Sequence, residues 1–266
     1  MRFAICLLML SPIHLYAGFE QNPMGARPAA MGGAYVASGE DAWLVFYNPA
    51  GLAYNASFNA SVFSSPAPYG LTDLSTTGLA VAVQPGFGSL GAGVRRYGFS
   101  LYRELSCCLS YAHSTEAFAF GVTFNYQSAS IENYGSAATV GVDVGILVSL
   151  LNHFRWGMAI LNVNAPTLGS SGEPLPRRFS TGLSFQPGNR CAFFCDIDKD
   201  SGFGPDFRGG FEFRIVDAFA LRAGMSDDPS EITGGIGLRW ERFEFDYAYV
   251  SHSDLGGSHL ATITFR

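Results

Sequence analysis

From position 56 onward, apolar residues alternate with small or polar ones at a period of two, the pattern of β-strands with two unlike faces. Segment 118–126 puts Phe118, Phe120, Val122, Phe124 and Tyr126 on one face and Ala119, Gly121, Thr123 and Asn125 on the other. Segment 207–215 repeats it, with Phe207, Phe211, Phe213 and Ile215 against Arg208, Gly210, Glu212 and Arg214. Near the C-terminus Phe243, Phe245, Tyr247 and Tyr249 alternate with Arg242, Glu244, Asp246 and Ala248. Cutting at turn signals gives about fourteen strands, centred near 60, 79, 93, 108, 122, 143, 158, 181, 194, 210, 222, 236, 246 and 262.

The connections between these strands alternate in length. Those at 85–88, 114–115, 151–152, 187–189, 216–217 and 241 are short, whereas 65–73, 131–136, 164–176, 199–205 and 226–231 are longer and rich in Gly, Pro and polar residues. Aromatic residues gather beside the short turns, among them Tyr111, Phe118, Phe154, Trp156, Phe185, Phe193, Phe219, Trp240 and Phe243, all on the apolar phase. Sorted turns and rings at one edge of an apolar band fit a transmembrane antiparallel β-barrel of about fourteen strands. The alternative is a soluble exported β-sandwich with an aromatic core, serving in binding or structure.

The other face reads as a barrel interior. It collects Arg95, Arg155, Arg178, Arg208, Arg214, Arg222, Arg239 and Arg242 with the acids Glu104, Asp143, Asp196, Asp198, Glu212, Glu244 and Asp246. Near-balance of charge predicts cross-linking ion pairs, Arg239 and Glu244 across a tight turn being one. Glycines at 91, 93, 121, 141, 145, 157, 182, 210, 224, 235 and 237 share this face and leave room for something inside.

Residues 18–55 do not alternate. Ser38 and Asp41 suit a helix start and Asn48, Pro49 and Gly51 its stop, giving a short helix of about two turns between them. The segment has too little apolar surface to fold alone, so it is expected to pack in the lumen as a short helical hatch. The organisation is then 1–17, 18–55 as hatch or plug, and 56–266 as barrel. Arg27 and Trp43 are the expected hatch-to-wall contacts. Asn48 and Pro49, with Gly51, fit either a hinge beside a substrate path or a tight turn leading into the first strand.

Residues 1–17 carry Arg2, an apolar core and Ala17, the layout of a cleaved secretory signal; export together with the barrel pattern leads to the expectation of a protein in the outer membrane of a Gram-negative-type cell. Past them, the longest apolar run, at 144–151, is far too short for a transmembrane helix. Net charge is −6, with one Lys among 16 basic residues; lacking a basic patch, the chain is not expected to bind nucleic acid. Cys107, Cys108, Cys191 and Cys195 are expected as small wall residues, the last two roughly 13 Å apart on one strand and so beyond disulfide reach. Asp196, Asp198 and Asp200 resemble part of a calcium loop, but Ser201 and Phe207 stand where its Gly and Glu belong. No nucleophile elbow, phosphate loop or zinc spacing is present. The expectation is a non-enzymatic protein without metal or cofactor.

The N-terminal stretch GARPAAMGGAYVASGEDAWLVFYNPAGLA, at 25–53, resembles the signature of PorV/PorQ-type proteins within the FadL-like outer-membrane barrels. The strand around Asp143 and Gly145 and the approach through Pro174, Pro176 and Arg178 are similar more weakly. The resemblance implies fourteen strands and an N-terminal plug. It implies one of two roles: transport of hydrophobic small molecules, or a part in type IX protein secretion. The partners are then outer-membrane lipid, with a hydrophobic ligand or secretion-machinery proteins.

Overall fold

The computed structural model describes residues 18–266 apart from 20–22, 40, 56–57, 152 and 170–171. The signal-peptide expectation for 1–17 lies outside the described residues.

Sixteen strands follow the N-terminal segment: β1 Asn59–Ser65, β2 Thr76–Val83, β3 Ser89–Gly98, β4 Tyr102–Ser114, β5 Phe118–Ile131, β6 Gly135–Leu151, β7 Phe154–Leu161, the two-residue β8 Thr167–Leu168 and β9 Glu173–Pro174, β10 Arg178–Phe185, β11 Cys191–Asp200, β12 Pro205–Val216, β13 Phe219–Asp227, β14 Ser230–Trp240, β15 Phe243–His252 and β16 Gly256–Phe265. Fourteen of them form one closed antiparallel barrel in which β1 pairs with both β2 and β16. β8 and β9 make a small separate hairpin inside the connection from β7 to β10. Closure satisfies every edge and excludes the sandwich alternative.

Each expected strand centre falls within a barrel strand. The alternation holds along β5, where Phe118, Phe120, Phe124 and Tyr126 are exposed outward while Ala119, Gly121, Thr123 and Asn125 are buried inward. Near the barrel end where β1 begins and β16 ends, outward rings stack across strands. Phe154 and Phe185 have centroids 4.4 Å apart, Phe193 and Phe211 4.9 Å, and Phe243 and Phe265 5.5 Å.

The connection lengths correct the sequence reading. At the far end, opposite the C-terminus, only 66–75 and 162–177 are long; 99–101, 132–134, 201–204, 228–229 and 253–255 are as tight as the turns at the C-terminal end. The polar stretches read as loops instead continue the ladder, Asp227 pairing with Ser230 and Ile131 with Gly135. Backbone pairing does not require apolar side chains, so composition overstates loop length there. Arg242 is also corrected: it is exposed in the 241–242 turn rather than lining the interior.

The N-terminal segment fills the barrel. It comprises α1 Ala26–Ala30 and two 3₁₀ helices, Ala42–Phe46 and Pro49–Tyr54. The expected two-turn helix between Asp41 and Asn48 is the first of these, one five-residue stretch. Its Asp41 side chain accepts from the Trp43 N–H at 3.0 Å and so caps it. Asn48 does not merely stop this helix. Its side chain accepts from the Ala50 N–H at 3.1 Å and caps the next, with Pro49 in the first turn, where a missing N–H leaves nothing unpaired.

Candidate functional site: the lumen segment and the cavity beside it

The segment enters near the far end, where Phe19 N–H donates to Glu104 at 2.8 Å. It crosses mid-lumen as α1 and closes the C-terminal end of the barrel with the second 3₁₀ helix. Met31, Tyr35, Trp43, Leu44 and Leu52 are wholly buried.

The interior glycines are the mould for this segment. A Cβ on Gly91 would meet Val45 and Leu52 at 2.7 and 2.8 Å, and one on Gly93 would meet Phe46 at 2.7 Å. On Gly210 it would meet the Met31 carbonyl at 2.7 Å, and on Gly235 the Ala30 side chain at 2.6 Å. Gly121 and Gly145, register partners on β5 and β6, lie against Pro49 and Asn48. The room expected from the glycine face is therefore largely occupied by the chain itself. Gly141, Gly182 and Gly237 instead face Asn162, Asp196 and Arg222 side chains.

Polar contacts pin the segment at several depths. The Arg27 guanidinium donates two bonds to Glu212, at 2.8 and 3.1 Å, and lies 3.7 Å from Asp41. Glu212 also accepts from Arg222 at 2.7 Å, and Arg222 reaches Asp246 at 2.6 Å. Glu244 joins this network through Arg222, Arg239 and Arg266. Such a fork needs the planar geometry of arginine. Tyr35 donates its hydroxyl to Asp41 at 2.6 Å. Burial, reinforced by Asp41, lifts the Tyr35 phenol well above its ordinary range, so it stays a donor.

Asp196 of β11 accepts the Tyr35 and Val36 N–H groups at 2.6 and 2.8 Å. Thr262 accepts the Ala26 N–H at 2.8 Å, and Thr233 accepts from Gly32 and donates to the Ala30 carbonyl.

All five residues singled out from sequence lie in this plug, but they do different things. Arg27 is the ionic pin. Trp43 packs against Phe63 with centroids 5.8 Å apart and against Gly25, where a Cβ would meet its ring at 2.7 Å. Asn48 donates to the Val36 and Ile146 carbonyls at 2.7 and 3.0 Å, tying plug to plug and plug to wall. Gly51 fits where a Cβ would meet the Ser38 carbonyl at 2.7 Å. The plug-binding roles of Asp41, Asp196, Glu212 and Thr233 are not readable from sequence. The alternation places the last three inward but says nothing of what meets them.

The three aspartates of the calcium-like stretch do not converge. Asp196 holds plug N–H groups, Asp198 accepts from Arg178 and lies 3.0 Å from Arg208, and Asp200 caps the turn at Gly202. Among the described residues no three acidic, His or Cys groups are arranged to hold a metal.

Beside the plug, in the far half of the lumen, lies a narrow, solvent-open cavity. Phe19, Met24, Val45, Phe46, Tyr47 and Leu161 supply apolar surface. The polar part of the lining comprises Arg95, Ser106, Asn125, Gln127, Asp143, Asn162, Arg178, Asp200 and Arg208. Asp143 accepts from the Asn125 amide and from the Asn162 N–H, the latter at 2.8 Å, and Asn162 donates to the Pro176 carbonyl. These bonds fix the base of the long 162–177 connection to the cavity wall.

No family model matches the sequence, and no curated protein does. Solved structures match the fold. The toluene transporter TbuX of Ralstonia pickettii superposes with a TM-score of 0.68 at 14% identity, over 91% of this chain and 98% of that one. A TodX monoaromatic hydrocarbon channel mutant gives 0.68 at 12% identity, over 91% and 96%. A Pseudomonas aeruginosa FadL homologue gives 0.64 at 13%, over 94% and 97%. This chain shares the fold of these three barrels. At such identities the likeness reaches the architecture, a fourteen-stranded closed barrel.

Proposed function

We propose that this protein is a non-enzymatic outer-membrane channel that passes hydrophobic small molecules by way of the far-end cavity and a rearrangement of the plug. The observation that carries the reading is a half-apolar cavity ending on a chain segment that fills the lumen. A solute entering the cavity meets the plug's Met24, Val45, Phe46 and Tyr47, so passage requires the plug to shift. Membrane insertion is supported by the outward face, where Val62, Leu79, Leu109, Phe124, Ile236 and Ile263 are exposed on six strands. An apolar surface continuous around a barrel needs lipid rather than water. With the C-terminus and the short turns at the periplasmic end, the two long connections lie outside. TbuX and TodX, named as a toluene transporter and a monoaromatic hydrocarbon channel, lend the ligand class.

A PorV/PorQ-like role in type IX secretion is the second reading, favoured by the 25–53 stretch and by how completely it closes the lumen. Mass spectrometry on protein extracted gently from its outer membrane separates the two. A stoichiometric hydrophobic molecule supports transport. A stoichiometric protein partner with an empty cavity supports secretion.

A further inference from the structure

One outward feature of the far end is unused by the plug, the cavity or the apolar band. Arg96 of β3 and Arg103 of β4 are both exposed and on the outward phase, since their neighbours Arg95 and Glu104 point inward and pair at 3.1 Å. The register matches Arg96 with Leu105 and Gly98 with Arg103, so the two arginines are diagonal neighbours on adjacent strands. Such positions stand roughly 7–8 Å apart, within reach of one anion for side chains of this length.

Hydroxyl residues flank the pair on the same face. Thr77 of β2 is the register partner of Arg96, and Ser130 of β5 is that of Arg103; both are exposed. Just toward the barrel's middle the face turns apolar, with Leu79, Val94 and Leu109. The acids of the adjoining turns, Asp73 in 66–75 and Glu132 in 132–134, make no ion pair with Arg96 or Arg103 among the described residues. Two other exposed cations lie at the far end: Arg177, just before β10, and Lys199, whose ammonium is spent on the Phe203 carbonyl.

We propose that Arg96 and Arg103, flanked by Thr77 and Ser130, form a binding site for the phosphate of a phosphorylated lipid at the outer edge of the membrane. Guanidinium groups match phosphate oxygens bidentately, and the site lies where an apolar band meets the headgroup level. The acyl chains of such a lipid would lie along Leu79, Val94 and Leu109. The site rests on the outer-membrane reading above but not on any transported solute.

The test is native mass spectrometry of the detergent-purified protein titrated with bisphosphorylated lipid A, for wild type, the double variant Arg96→Gln/Arg103→Gln, and Lys199→Gln as control. Heat-modifiable migration first confirms that each variant is a folded barrel. The expected result is one lipid A per wild-type barrel, about tenfold weaker binding in the double variant, and no change in Lys199→Gln. Equal binding by wild type and double variant overturns the site. Displacement of lipid A by millimolar inorganic phosphate also overturns it, because the ligand would then be a free anion. Membrane fractionation is read separately. Absence from the outer membrane with arginine-dependent lipid A binding intact overturns the placement and leaves the site standing.

Discussion

The carboxamide oxygen of Asn48 occupies the place where a side chain on Gly145 would begin. The same carboxamide donates to the carbonyl of Ile146, the next residue along β6. Plug and wall thus meet with no intervening side chain, and Gly121 on the neighbouring strand does the same for Pro49 and Ala50. Gly145→Ala is expected to unseat this contact at a strain of about 1–3 kcal/mol while the barrel still closes, since Gly145 keeps its ladder place. Limited proteolysis of the folded barrel should show cleavage within 42–54 that wild type resists. An unchanged digestion pattern would mean the contact does not hold the plug.

Arg27 is the ionic centre of the plug. Arg27→Ala leaves Glu212 with Arg222 and Arg214 but removes the plug's own cation, the partner of Asp41, from a buried network. Truncating one member of such a network costs about 3–5 kcal/mol. Planar-bilayer recordings should show higher or noisier conductance for Arg27→Ala than for wild type. Arg27→Lys should recover only part of the seal, because an ammonium cannot make the two-bond fork to Glu212.

Asn48 bears on a question left open in the sequence, turn or path. Its side chain makes one cap and two donated bonds, none of them toward the cavity. Asn48→Ala removes a cap worth about 1 kcal/mol and strips donors from two buried carbonyls, at about 1–3 kcal/mol each. The expected outcome is a loosened plug with a raised basal leak, measured as conductance. Asn48→Asp should restore the cap but not the donated bonds, and so fall between. Normal sealing with altered hydrophobic-solute uptake would instead mark Asn48 as part of a path.

The wall was legible because alternation is a local signal. Expected centres at 108, 143 and 210 fall mid-strand in β4, β6 and β12, and Arg239 meets Glu244 at 3.2 Å across its turn, as expected. Loop length was not legible. Asp228 and Pro229 look like the middle of a loop, yet the ladder runs up to both sides of them. The plug was half legible: its lack of alternation set it apart and Arg27 stood out as the one basic residue of 18–55. Its partners did not, because Asp196 meets Tyr35 across 161 positions of chain and Thr233 meets Gly32 across 201. Only barrel closure brings those residues together.

The most direct test of the central claim is uptake of radiolabelled toluene by cells lacking other hydrophobic-solute channels, with and without this protein. Gly145→Ala and Arg27→Ala serve as plug variants alongside wild type. The account predicts faster uptake with the wild-type barrel than without it, and a further change in rate when the plug is unseated. Uptake identical with and without the barrel, and unmoved by either plug variant, would contradict it.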